Sequence, residues 1–277
     1  MWKKRLCLGL SNSFDLSPEE QIKLIKNAGF DAFFYEWNHE KIDSVAKTGK
    51  EQGMIFQSMH APFQKAADFW GDDESRGEAA VNELLACLND CVEYKVPLMV
   101  VHAFIGFEEH TPTKIGLKRF GMVVKEAEKC GVKIAFENTE GEEYLFALME
   151  EFKGNDTVGF CWDSGHEMCY NHSQDLLALF GDRLIATHLN DNLGISDFGG
   201  KTIWMDDLHL LPFDGVADWD YNAKRLMACG FDGILTFELT RLSKPNRHDN
   251  DCYMDMTIEQ YIAEAYKRAC RVAEKVK

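Results

Sequence analysis

The 277-residue sequence predicts a single α/β domain, a (β/α)8 barrel spanning residues 1–277. The length suits such a barrel, which takes about 250 residues and buries one large core. Eight short apolar runs alternate with stretches of helical character, and no linker or low-complexity segment divides them. Several helical stretches also end alike, in a glycine that leads straight into the next apolar run.

The runs, in order, are KRLCLGLS (4–11), DAFFYEW (31–37), MIFQSMH (54–60), PLMVVHAF (97–104), KIAFENT (133–139), VGFCWDS (158–164), LIATHLND (184–191) and GILTFEL (233–239). Each is nearly continuously apolar, as parallel strands covered on both faces must be. The first helix opens with Ser17, Pro18 and Glu20: an N-cap, a first-turn proline and a capping-box acid. Gly29, Gly53, Gly131 and Gly230 close the helices before runs two, three, five and eight, because glycine accepts the left-handed conformation at a helix end. Repeated αβ units imply a parallel sheet with right-handed crossovers. An open doubly wound sheet is disfavoured: no Gly-x-Gly-x-x-Gly follows the first run, and no phosphate-loop pattern occurs.

Composition narrows the function. A formal charge of −16 opposes nucleic-acid binding, which needs a basic footprint to displace counterions. No apolar run reaches the roughly 20 residues of a membrane span, and the N-terminal apolar stretch is too short for a signal core. Nine scattered cysteines without a Cys-x-x-Cys pair suit reduced thiols in a cytoplasmic protein better than disulfides or zinc thiolates. The oligomeric state is left open.

Barrel chemistry resides at the C-terminal strand ends. Those ends carry Glu36, His60, His102, Glu137, Asp163 with His166, His188 with Asp191, and Glu238; Asp207 and His209 follow between runs seven and eight. Five of the nine histidines fall in this set, and a barrel gathers strand ends around one axis. Oxygen and nitrogen donors without thiolate point to a divalent ion, zinc or manganese first, with magnesium, cobalt or iron as alternatives. Asp191 and Asn192 are candidates for orienting an imidazole. Trp37, Phe63, Phe104, Trp162 and Trp204 are candidates for an apolar wall against a sugar, and Cys161 is expected in the barrel wall. No Gly-x-Ser-x-Gly elbow or His-Glu-x-x-His helix is present.

The stretches HAP (60–62), VHAF (101–104), FENT (136–139), WDSGH (162–166), THLND (187–191), DLH (207–209) with PFDG (212–215), and FEL (237–239) together resemble the xylose isomerase-like TIM-barrel superfamily. The resemblance implies that Glu137, Asp163, His188 and Glu238 bind a principal metal. It implies acid and base roles for Glu137 and Glu238, and contact of His166 with substrate or a second ion. It also aligns His60, His102, Glu137, Asp163, His166, His188, Asp207, His209 and Glu238 with the three-zinc cluster of endonuclease IV, so a multinuclear apurinic-site nuclease is an alternative, as is an inosose dehydratase-type lyase. Two departures stand out: His209 occupies the region where ketose epimerases place an arginine, and Pro212-Phe213-Asp214-Gly215 replaces the usual Pro-Gly-x-Gly.

Loop charge favours the small-molecule reading. The segments 70–74, 108–109, 140–143 and 205–207 are acidic or neutral, and only Arg241 to Arg247, with Lys244, forms a basic loop, suited to a sugar phosphate. The expectation is a divalent-metal-dependent isomerase or epimerase of a small sugar, sugar phosphate or cyclitol, acting by proton transfer through an enediolate. His60, His102, His166, Trp37, Phe104 and Arg241 are the expected substrate contacts.

Overall fold

The computed structural model describes residues 4–108 and 111–276; Glu109 of the acidic 108–109 pair lies outside them. Eight strands occur in the expected places: β1 (Leu6–Gly9), β2 (Ala32–Glu36), β3 (Ile55–His60), β4 (Leu98–His102), β5 (Lys133–Glu137), β6 (Val158–Asp163), β7 (Leu184–His188) and β8 (Leu235–Phe237). All the pairings between them are parallel, in the order β7-β6-β5-β4-β3-β2-β1-β8. The sheet ends meet where Leu189 N donates to Thr236 O at 2.7 Å and Glu238 N donates to Leu189 O at 3.3 Å, so the sheet closes into a barrel.

Surrounding helices are α1 (Pro18–Ala28), α2 (Ile42–Glu51), α3 (Glu74–Glu93), α4 (Lys114–Cys130), α5 (Glu142–Glu151), α6 (Ser164–Cys169), α7 (Leu176–Phe180), α8 (Trp219–Ala228) and α9 (Ile258–Lys275). Ser17 and Glu20 form the capping box that starts α1. The glycines at 29, 53, 131 and 230 all have positive φ, between 63° and 114°, which is why glycine recurs there.

Small side chains fill the barrel interior. Leu98, Val100, Ala135, Cys161 and Ala186 pack together on one side, and Cys7, Ala32 and Phe34 on the other. Cys161 therefore points into the interior beneath the strand ends rather than into the wall. Burial pushes its thiol well above the ordinary range, and the nearby Glu137 and Asp163 add to that, so it is no nucleophile. Phe34 lies across this interior and stacks on His188 at 4.8 Å. Gly9 makes room for it: a Cβ there would sit 2.5 Å from the Phe34 ring. Primary sequence thus reaches the strand-end chemistry through one glycine and one ring.

Candidate metal centre

Glu137 ends β5 with its side chain wholly buried among imidazoles. His188 Nδ1 stands 2.8 Å from Glu137 Oε1, and the Nε2 atoms of His60 and His102 lie 3.5 and 3.4 Å from Oε2. His188 Nδ1 also lies 3.0 Å from Glu238 Oε2, so two carboxylates flank one ring nitrogen. Glu137, Asp163, His188 and Glu238 each offer a donor atom, all within 4.8 Å of one another. Two further groups meet the same test: His60 with Glu137 and His188, and His166 with Asp207 and His209.

Ring orientation is set from behind. His60 Nδ1 donates to Ala61 O at 2.9 Å, His166 Nδ1 to Asn138 O at 3.0 Å, and His209 Nδ1 to Glu238 O at 3.2 Å. A carbonyl only accepts, so each of these nitrogens carries the proton, and each Nε2 turns toward a carboxylate. The Nε2 atoms of His166 and His209 approach Asp207 Oδ1 at 3.4 and 2.8 Å. His188 is reversed: its Nδ1 faces the carboxylates.

The segment WDSGH is a strand end running into a short helix, not a simple turn. Asp163 caps α6 by accepting the amide of His166 at 2.7 Å. Asn190 Nδ2 donates to Asp163 Oδ2 at 2.9 Å, and Asn138 pairs with the Asp163 backbone through both its amide atoms. Ser164 Oγ donates to Asn190 O, and a Cβ on Gly165 would meet Asn190 Oδ1 at 1.9 Å. The Ser-Gly pair therefore lets α6 seat against Asn190, which in turn steadies Asp163.

Asp191 and Asn192 orient no imidazole among the described residues. Asp191 accepts from the amides of Asn192, Phe213 and Ala217 and from Trp219 Nε1, at 2.8 to 3.0 Å, and Asn192 Nδ2 donates to Asp206 O. Asp191 organises the loop containing Pro212-Phe213-Asp214-Gly215, whose glycine lies directly against it. The imidazole-rich centre is steadied instead by Asn138 and Asn190, both visible in sequence only as amides just beyond strand ends.

Electrostatics balance within the cluster. Burial opposes ionisation of Glu238, but His188 and His209 outweigh it and bring the carboxyl down to about 2. Burial likewise opposes the charged forms of Glu137 and Asp207, yet their imidazole neighbours hold both well below the carboxylate range. His209 is pushed up to about 9: burial works against the cation, and Asp207 and Glu238 overcome it. His166 and His188 are raised in the same way by their carboxylate neighbours. Asp163 moves oppositely, up to about 6, because burial exceeds the help of His166 and His209.

With the facing imidazoles neutral, three buried atoms at the centre of this network, Glu137 Oε2, His188 Nε2 and Asp207 Oδ1, have no hydrogen-bond partner among the described residues. Buried polar atoms ordinarily find partners. Two of the three belong to carboxylates that face imidazole nitrogens, so the donor set fits a divalent cation of borderline hardness.

Above the cluster, a cavity of about 370 Å³ is walled by Phe63, Ile105, Phe107, Tyr170 and Trp204, with His60, His102, His166, His209 and Glu238 toward the cluster. Phe63 stacks on His102 at 4.7 Å. Lys244, within the anticipated basic loop, reaches this rim, 3.6 Å from Asp207 Oδ2 and over the Trp204 ring. Phe107 and Tyr170 also line it, and sequence reasoning did not name them; Glu140, from the acidic segment 140–143, joins them.

Three expected substrate contacts lie elsewhere. Trp37 directs its indole nitrogen to Asp90, 2.7 Å away. Phe104 stacks on Tyr144 at 4.2 Å, and Arg241 donates to Met256 O at 2.9 Å. Trp162 is fully buried and donates to Glu167. None of these side chains lines the cluster's cavity, although Trp37 lines a neighbouring recess at the barrel mouth.

Residues 22–275 match the sequence profile of the family described as xylose isomerase-like TIM barrel. A curated relative, the uncharacterized protein y4fM of Sinorhizobium fredii, is 36% identical over 137 residues, 48% of this chain and 41% of that one. The chain thus spans less than half the length of that relative. Among solved structures, the IOLI protein with a zinc atom superposes with a TM-score of 0.76 at 20% identity, over 99% of both chains. The D-psicose 3-epimerase of Clostridium cellulolyticum H10 gives 0.73 at 14%, over 96% of this chain and 99% of that one. The 3-keto-D-glucoside 4-epimerase YcjR of E. coli gives 0.72 at 16%, over 97% of this chain and all of that one. Identities this low speak for the fold alone.

Proposed function

The chain belongs to the xylose isomerase-like TIM-barrel family, and on that premise we propose that it is a divalent-metal-dependent isomerase or epimerase of a small sugar or polyol. The observation that carries this reading is the approach of both Glu137 and Glu238 to His188 Nδ1, at 2.8 and 3.0 Å. Solved relatives described as D-psicose 3-epimerase and 3-keto-D-glucoside 4-epimerase support the same reaction class.

Glu137, Asp163, His188 and Glu238 would hold the principal ion. When bound there, it would supply Lewis-acid polarisation of a substrate carbonyl and the adjacent hydroxyl. Glu238, whose side chain is 27% exposed toward the mouth, is held as the anion and is therefore ready to accept the proton from the carbon beside the carbonyl. Glu238 can give the same proton back to the neighbouring carbon; return to the opposite face falls to Glu137, which is also held as an anion and would first take a proton from a substrate hydroxyl. His209 and Asp207 bound the cavity and orient hydroxyls, and the aromatic wall of Phe63, Phe107 and Trp204 excludes water from the face they cover.

A deuterium wash-in assay over ketoses, inososes and their phosphates tests this. Deuterium at a carbon-bound position supports enolisation, and β-elimination product would mark the lyase variant instead. The second reading, phosphodiester cleavage, is favoured by the additional groups around His60 and around Asp207. It requires nicking of abasic-site DNA without exchange into any sugar; the acidic segments around the mouth weigh against it.

A further inference from the structure

The cavity over the metal centre does not end there. Asp207, His209, Glu238 and Lys244 also line a neighbouring cavity of about 380 Å³, which continues over Leu10, Ser11, Asn12 and Glu36. Those last four residues in turn line a third recess of about 580 Å³, extended by Tyr35, Trp37, Asn38 and Lys41. The three spaces form one trough across the barrel mouth, with Glu238 nearer one end. A pocket of about 300–1,000 Å³ already holds a drug-sized ligand. A single sugar ring over Glu238 therefore leaves the large recess to another part of the substrate.

Resting on the polyol reading above, we propose that this recess is a second sugar subsite, and that the substrate is a glycoside of two linked rings. The recess is polar, with hydroxyl, amide and carboxylate groups from Ser11, Asn12, Asn38 and Glu36 beside the Trp37 indole. Hydroxyl partners next to an aromatic body suit a pyranose. Asn12, Glu36 and Lys41 are exposed, so their side-chain donors and acceptors are open to a ligand. Charge selects the class further: Asp15, Glu20 and Glu36 outnumber Lys41 here, which disfavours a phosphate or nucleotide and suits an uncharged polyol.

Calorimetric titration of the manganese-loaded full chain with D-fructose, isomaltulose, maltulose and lactulose tests the assignment. At least one keto-disaccharide should bind about tenfold or more tightly than fructose. The exposed double substitution Asn38→Ala with Lys41→Ala, verified by its melting curve, should erase that preference and leave fructose affinity unchanged. Disaccharides no tighter than fructose, or a preference that survives the double substitution, overturns the subsite. The same titrants in deuterium oxide separate the two proposals. Disaccharide preference without exchange removes the enolisation reading and keeps the subsite; exchange into fructose without preference does the reverse.

Discussion

Glu137 and His188 meet at 2.8 Å although β6 lies between their strands in the sheet. Only curvature of the closed barrel brings the ends of β5 and β7 together above the small residues Ala135, Cys161 and Ala186. Because this contact is buried and charge-assisted, it sets much of what the cluster does.

Glu238→Gln keeps the shape of the side chain and removes its basicity. Wash-in should fall by about 10²- to 10⁴-fold, the usual contribution of a general base. Metal content, measured by plasma mass spectrometry, separates loss of the proton acceptor from loss of the ion. Normal metal content with undiminished wash-in would remove Glu238 from the proposed role.

Metal loading should release protons. Without metal, the neighbouring carboxylates hold His166, His188 and His209 above the ordinary imidazole range, the last at about 9. The carboxylates thus favour the protonated forms of these rings, and coordination requires the rings to lose that charge. Affinity should therefore weaken as the pH falls, by about tenfold per pH unit for each proton displaced. Titration calorimetry in buffers of different ionisation enthalpy counts those protons, and a buffer-independent heat would contradict this.

Gly165→Ala places a methyl against Asn190 and pushes on the amide that steadies Asp163. Overpacking of this kind costs about 1–3 kcal/mol. Urea unfolding should register that loss, accompanied by weaker metal retention, whereas Gly53→Ala should leave metal retention intact, since nothing lies within 4 Å of its added Cβ.

Asp191→Ala should destabilise without touching the cluster directly. It strips a shared acceptor from three backbone amides and the Trp219 indole. Each buried donor left unpaired costs about 1–3 kcal/mol. A fall in the urea midpoint, with metal stoichiometry kept, is the expected outcome; an unchanged midpoint would show that water replaces the carboxylate.

Much of the fold was legible because it depends on local rules. Eight apolar runs, a capping box at Ser17 and four helix-ending glycines each report chemistry within a few residues. The candidate donors were legible for the same reason, since nearly every strand finishes in a carboxylate or an imidazole. Side-chain direction was not. Trp37 and Phe104 stand at or just beyond strand ends yet turn toward Asp90 and Tyr144, and Asp191 serves a loop rather than a ring.

The sequence by itself determined the alternation of strands and helices, the acidic charge and the inventory of oxygen and nitrogen donors. Each is a property of composition or of neighbours along the chain. Tertiary structure decided which donors meet, which ring nitrogen each histidine presents, and which aromatics reach the mouth. Those outcomes depend on barrel closure and on partners tens of residues away. Asn138, behind both Asp163 and His166, and Asn190, on Asp163 alone, acquire their roles only there.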